Sequence, residues 1–344
     1  MSRFRLRYNS QTMEITASTI IPLSLAAAIV PALVYSAVIY GFDRYEKEPM
    51  WLLLATFFWG AVPSIILALV VSLVFSAPVM LLGGPVVTNT VMAVVVAPPV
   101  EETAKAIALI AIFVLLRHEV DGLLDGIIYG AMVGMGFAMV ENFFYFLAVF
   151  DEGGSQAWGS TVFLRAIIFG LNHSLFTSAT GLGLAVARFT QQRVIRFAAP
   201  IAGWSIAVAL HAIHNLGASM GGLLCAILPF TDWGGVLLVF VIIVWALVQE
   251  RRWIHEYLQE EVSRGTLTAQ QYHTACSGRR RLAHRLHLLI DRGPSAYFAA
   301  TRFYRHCSEL AYKKHHFELL QEEQSAQLTD NLRQEIRLLS HDLS

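Results

Sequence analysis

The chain has 344 residues, 56% of them hydrophobic and 15% charged, with a mean hydropathy of +0.54 and no formal net charge. A soluble domain carries about 25% charged residues. This composition therefore excludes an ordinary soluble fold, and the zero net charge gives no support to nucleic acid or acidic substrates as partners. Cys225, Cys276 and Cys307 are odd in number and widely spaced, so no disulfide framework is expected.

A polar stretch from Met1 to Ala17 precedes the first apolar span, which ends in GFDRYEKEP without a small-x-small cleavage site and reads as a retained helix. A membrane-crossing helix needs about 20 apolar residues. Seven such spans are expected, over 18–41, 52–76, 88–116, 123–148, 161–187, 199–219 and 234–249. Pro98-Pro99 should kink or break the third, because proline removes a helical donor and crowds the preceding turn. The short apolar segment 221–232 reads as re-entrant. Residues 250–344, where most of the charge lies, read as a soluble region of amphipathic helices. Turns are expected at 264–265 and 292–295, with Thr266 or Thr268 as a helix cap. The expected fold is an all-α polytopic membrane protein, with a transmembrane domain over 1–249 and a helical C-terminal domain over 250–344.

Lys and Arg set the orientation. Arg44 and Lys47 follow span 1, Arg117 follows span 3, and Arg188, Arg193 and Arg196 follow span 5, whereas the loops after spans 2, 4 and 6 carry neither residue. The basic loops and the C-terminal domain are therefore expected in the cytoplasm of a multi-pass cell-membrane protein. Arg3, Arg5 and Arg7 oppose the external N-terminus that this implies.

The chemistry-bearing residues lie inside apolar spans. Glu101 and Glu102 stand side by side, with Lys105 one turn later. A charged side chain at the centre of a bilayer costs about 2.5–3.5 kcal/mol even on mild insertion scales, so such residues mark functional sites. Glu101, His173 and His211 fall near the midpoints of their spans and so at similar depth. Glu141 is displaced by about 8 Å at the helical rise. Glu101 and Lys105 share a helix face, as do His211, His214 and Asn215. A carboxylate in a low-dielectric site can take a proton from water as a general base, a histidine can orient that water or donate a proton, and His211 and Asn215 can stabilise an oxyanion. The implied reaction is attack of water on a peptide carbonyl.

Other protease signatures are absent. HEVDG at 118–122 and HEYLQ at 255–259 lack the second histidine of a zinc motif, and neither GxSG nor GxGD occurs. A glutamate-dependent site without cofactor is expected, although Glu101, Glu102, His173 and His211 also make a plausible donor set for a divalent metal such as zinc. A proton-coupled transporter or binding protein is the non-enzymatic alternative; transporters often show internal repeats, and none is found here.

The stretches DRYEKEP (43–49), PPVEETAK (98–105), DGIIYGAMVGMGFAMVENFFYF (125–146), NHSLFTS (172–178) and HAIHN (211–215) resemble the PrsW family of glutamic intramembrane proteases, related to the CAAX-protease and bacteriocin-processing superfamily. The resemblance puts the EExxK of the family on Glu101, Glu102 and Lys105, its FxxxE on Phe137 and Glu141, and its later histidines on His173 and His211. Asn142, His214 and Asn215 then become supporting residues. CAAX-type relatives usually show EExxxR, and position 106 here is alanine, which argues against prenyl-protein processing. The implied activity is site-1 cleavage of a single-pass membrane protein such as an anti-sigma factor. The C-terminal domain is left to regulate access or to bind a cytoplasmic partner.

Asp121 and Asp125 are read as helix-start carboxylates, Arg165 as a snorkelling span-end residue, and residues 143–146 as an aromatic belt.

Overall fold

The computed structural model describes residues 17–45, 47–220, 222–320 and 323–343, all of them helices and their connections, with no strand among them. Met1, Arg3, Arg5 and Arg7 lie outside the described residues. The membrane part comprises α1 (Ala17–Phe42), α2 (Met50–Trp59), α3 (Ile65–Val91), α4 (Ala97–Leu115), α5 (Leu123–Val162), α6 (Asn172–Phe189), α7 (Arg193–Met220) and α8 (Gly222–Ser263). Then come α9 (Ala269–Ala275), α10 (Gly278–Arg292), α11 (Pro294–Leu320) and α12 (Glu323–Leu343). Short π-helical segments at Gly60–Ser64, Met92–Val96 and Phe163–Ile168 interrupt the membrane helices.

Among the described residues, five stretches are long and apolar enough to cross a membrane: Thr19–Phe42, Met50–Leu81, Leu123–Phe189, Arg193–Met220 and Cys225–Ser263. The difference from the expected seven has two sources. Two expected spans fall in the single stretch Leu123–Phe189, which holds both α5 and α6. The expected span 88–116 is divided between the end of α3, a π-helical turn and α4, and α4 carries the charged group Glu101, Glu102 and Lys105. Pro98 and Pro99 lie in the first turn of α4, directly after the π-helical turn Met92–Val96, which interrupts the span where the prolines are expected to kink or break it. The segment expected to be re-entrant is helical from Gly222 onward and forms the beginning of α8.

α5 is the central element. An almost unbroken run from Leu124 to Ala138 is buried, whereas the outward sides of α1 and α3 present residues such as Val30, Leu73 and Val74. That inside-out distribution suits a lipid solvent. Gly126, Gly130 and Gly134 recur every fourth residue along the α5 face that meets α6. A Cβ at these positions would come within 2.4, 2.6 and 2.2 Å of the carbonyl oxygens of Gly181, Thr177 and His173. Small residues at this spacing let two helix backbones touch. Ser174 and Ser178 of α6 donate hydrogen bonds to Ala131 O and Ile127 O, both at 3.0 Å, which fixes the register.

α8 runs unbroken through the expected domain boundary at 249/250 and supplies Ile254 and Leu258 to a second apolar core, completed by residues such as Phe303, Leu310 and Ile336. Thr268 caps α9 by accepting from Gln271 N at 3.2 Å, and Gly265 and Gly293 make the turns with positive φ. The tail docks on one end of the bundle. Lys313 pairs with Asp121 at 2.7 Å, His316 reaches Asp121 O at 2.8 Å, and Gln191 donates to Leu319 O at 2.7 Å. Arg281 donates to Tyr45 O in the loop between α1 and α2. The connections bearing Arg44, Lys47 and Arg117, and the start of α7 at Arg193, therefore lie at the tail's end of the bundle.

Candidate active site

Four helices, α4 to α7, bring their polar residues together in the bundle. On α4, Glu102 and Lys105 are completely buried and form an ion pair of 2.7 Å. Their i,i+3 spacing puts them on one face. Glu102 Oε1 also faces His211 Nδ1 at 3.0 Å, and its Oε2 accepts from Thr177 Oγ1 at 3.0 Å. Both carboxylate oxygens are thus occupied. Lys105 Nζ further contacts His173 Nδ1 at 3.2 Å and lies 3.9 Å above the Phe137 ring.

These contacts specify the histidine tautomers. An ionised carboxylate only accepts hydrogen bonds, and an ammonium only donates. His211 therefore carries a proton on Nδ1, toward Glu102, and its Nε2 lies 3.7 Å from Glu101 Oε2. His173 accepts from Lys105 at Nδ1 and donates from Nε2 to Glu141 Oε2 at 2.9 Å. The two imidazoles meet edge to face, with centroids 5.0 Å apart, and Phe176 stacks on His211.

Glu101 differs from Glu102. Its Oε2 is buried without a hydrogen-bond partner, 3.8 Å from Lys105 Nζ. Glu101, His173 and His211 each bring a donor atom within 4.8 Å of the others, the only such group of three among the described residues. Side-chain exposure rises in one direction across the site: 0% for Glu102 and Lys105, 12% for Glu101, 13% for His173, 19% for Glu141 and 25% for Arg165.

The structure thus brings Glu101, Glu102, Lys105, His173, His211 and Glu141 into one group. Asn142 belongs to its rim, where its Oδ1 accepts from Arg165 Nε at 2.8 Å. His214 and Asn215 stand apart. His214 Nδ1 contacts Asp232 Oδ2 at 2.8 Å, and Asn172 Nδ2 contacts both groups at 2.9 Å. Asn215 donates to Ala93 O at 2.8 Å, in the π-helical turn before α4, and so braces that turn. Arg165 does not snorkel: its guanidinium pairs with Glu141 and covers the Tyr145 ring. Arg165, Thr177 and Asp232 were not anticipated as parts of these networks. Asp232, an acid within an apolar stretch, carried the same signal as Glu101.

The chain matches the family described as "PrsW family intramembrane metalloprotease" over residues 48–248, more than half of its length. The "Protease PrsW" of Geobacillus kaustophilus is 30% identical over 169 residues, which cover 49% of this chain and 68% of that protein. The protein of the same name from Clostridioides difficile is 29% identical over 221 residues, covering 64% and 86%, and that of Bacillus subtilis 29% over 169 residues, covering 49% and 71%. No solved structure matches the chain. The matched region contains Glu101, Glu102, Lys105, Glu141, His173 and His211, and the chain belongs to the PrsW family of intramembrane proteases.

Proposed function

We propose that the chain is an intramembrane endopeptidase in which Glu101 activates the attacking water, and that its substrate is a single-pass membrane protein such as an anti-sigma factor, cut at site 1. The observation that carries this reading is the buried Glu101 Oε2, which has no hydrogen-bond partner and lies 3.7 Å from His211 Nε2. Glu101 takes the proton of the water as general base. The second carboxylate has a different task. Glu102 is saturated by Lys105, His211 and Thr177, and so fixes the direction of His211 and the charge of Lys105. His173, with its Nε2 proton beside Glu141, is placed to protonate the leaving amine. Lys105 supplies positive charge near the developing oxyanion. The basic loops at the tail's end favour a cytoplasmic C-terminal region and a multi-pass position in the cell membrane.

The donor set also fits a divalent cation, which gives a second reading. Two histidines and one glutamate are a common catalytic zinc set, and Glu102 behind His211 is the outer carboxylate such a ligand usually has. Glu101, His173 and His211 would hold the ion, which when bound lowers the pKa of its water and polarises the scissile carbonyl. In either case Glu102 orients His211, and Arg165 and Glu141 orient His173.

The test is cleavage of a transmembrane-peptide library by purified, reconstituted protein, wild type against Glu101→Gln. Loss of cleavage with the fold intact is expected, and wild-type rates in the variant would defeat the proposal. Chelation with elemental analysis separates the two readings. Activity that survives in metal-free protein supports the glutamate alone. Stoichiometric metal, lost in His211→Ala, supports the cation.

A further inference from the structure

α10 (Gly278–Arg292) carries five arginines against one aspartate. One side of it is already anchored. Arg281 is buried and donates to Ala275 O, Ser308 Oγ and Tyr45 O, Leu288 enters the tail core, and His284 contacts the Tyr304 hydroxyl at 2.9 Å. About a quarter turn away, Leu282, Leu286, Leu289 and Ile290 form an exposed strip about 100° wide at the helical period. Ile290 is 82% exposed. Phe298 of α11 extends the strip beyond the turn at Gly293. Among the described residues from 264 to 343, seven large apolar side chains are exposed, and five of them lie in this patch. Arg279, Arg280 and Arg292 are exposed around it.

The position of the patch matters as much as its composition. Arg281 touches the loop that joins α1 to α2, just before Met50 and Trp51, themselves exposed, begin the next membrane helix. α10 therefore lies at the level where the membrane part leaves the lipid.

We propose that α10 and the start of α11 dock on the anionic bilayer surface on the tail's side, with the leucine–isoleucine strip inserted at the headgroup boundary and the arginines on the phosphates. A basic amphipathic helix lies in the interface plane in this way, and each arginine adds electrostatic attraction to anionic lipid. Apolar residues rimmed by arginine at headgroup level match a lipid surface better than a protein partner, whose contact would not require proximity to the membrane. This assignment concerns the tail and does not depend on the proteolytic mechanism.

The test uses the full chain with Cys225→Ser, since Cys276 and Cys307 are buried. Single cysteines at Leu286→Cys, Ile290→Cys and, as a polar-face control, His287→Cys carry an environment-sensitive fluorophore. The protein is reconstituted in nanodiscs holding one copy each, of phosphatidylcholine alone or with about one third phosphatidylglycerol. The expected result is a blue shift at 286 and 290 that grows with phosphatidylglycerol and falls in high salt, with 287 reporting water throughout. Hydrogen exchange of the wild-type chain should show α10 protected by the anionic lipid, and Leu286→Glu with Ile290→Glu should remove that protection. Water-exposed labels at 286 and 290 in both lipids would overturn the proposal. So would a shift that appears only when two copies share a vesicle or when a soluble protein is added.

Discussion

Two groups of buried carboxylates stand at different levels of this molecule, and they are stabilised by different means. In the bundle, Glu102 and Glu141 each meet a cation and a histidine: Lys105 with His211, and Arg165 with His173. At the junction with the tail, Asp43, Glu48, Asp125 and Glu250 surround a cavity of about 200 Å³. Their polar contacts are largely neutral. Asp43 Oδ2 accepts from Glu48 N at 2.7 Å, Asp125 Oδ2 accepts from Asp121 N and Gly122 N at 2.6 and 2.8 Å, and the Tyr129 hydroxyl contacts Glu48. Burial first, and then the charge of Asp125, push Asp43 up to about 7, and the same causes raise Glu48 well above the usual carboxylate range. Cation pairing keeps a carboxylate charged and aimed, which chemistry needs. Lys47 and Arg305 also line the junction cavity but are outnumbered by its carboxylates, and burial with too few cations makes a carboxylate respond to pH, which a docking surface tolerates.

The largest effect expected from this contrast is on Glu101 and Glu102. Glu101→Gln and Glu102→Gln should each reduce cleavage by at least about 100-fold, the lower range for loss of a general base, while the protein still inserts and folds. Unchanged turnover in both variants would end the glutamate mechanism. His173→Ala and His211→Ala should come next, at about 100-fold, the scale of a lost acid–base group or oxyanion donor. His214→Ala should cost less, because His214 contacts Asp232 and Asn172 outside the main group. An essential His214 beside a dispensable His211 would reverse the assignment of α7.

Arg165 tests whether pairing matters for direction. Arg165→Met should lower kcat by about tenfold, a fraction of the acid–base term, with little change in KM. Added to Glu141→Gln it should do no further harm, since both act through His173. Independent, multiplying losses would mean that Arg165 acts elsewhere.

The smallest effect lies at the junction. A carboxyl whose folded pKa lies above its unfolded value stabilises the fold at low pH, and that contribution is lost as pH rises through the folded value. For Asp43 the window runs from about 4 to about 7. Asp43→Asn keeps an oxygen for Glu48 N–H and should raise the melting temperature at pH 8 with little change at pH 4. An equal shift at both values would show that Asp43 does not titrate in this window.

Much of the site is legible in the sequence because adjacent glutamates in an apolar helix have few structural excuses, and because i,i+3 and i,i+4 spacing fixes what one helix can align. Contacts between helices are less legible. Arg165 stands near the expected end of a span, where snorkelling is the usual fate, yet the π-helical turn Phe163–Ile168 places it on Glu141. Asn215 shares a face with His211, but its amide meets the backbone of a π-helical turn that no periodicity announces. Asp232 lies in a segment read as re-entrant, and only its place on α8 shows which histidine it meets. The Gly126, Gly130 and Gly134 repeat is visible in the sequence, whereas its partner surface on α6 is not.

The rise in exposure from Glu102 to Arg165 bears on supply. Each bond cut consumes one water, and that water must reach a level lined by lipid-facing helices. α5 starts at the tail's end with Leu123, and Glu141 lies eighteen residues on, about 27 Å at the helical rise; the helix breaks at Gly154, and the chain comes back so that Arg165 pairs with Glu141 at that level. The more exposed residues of the site therefore lie away from the tail, and water is expected to enter from the opposite side. A small polar inhibitor or a solute that lowers water activity should slow the enzyme when placed on that side of a sealed vesicle. The same solute on the tail's side should leave the rate unchanged.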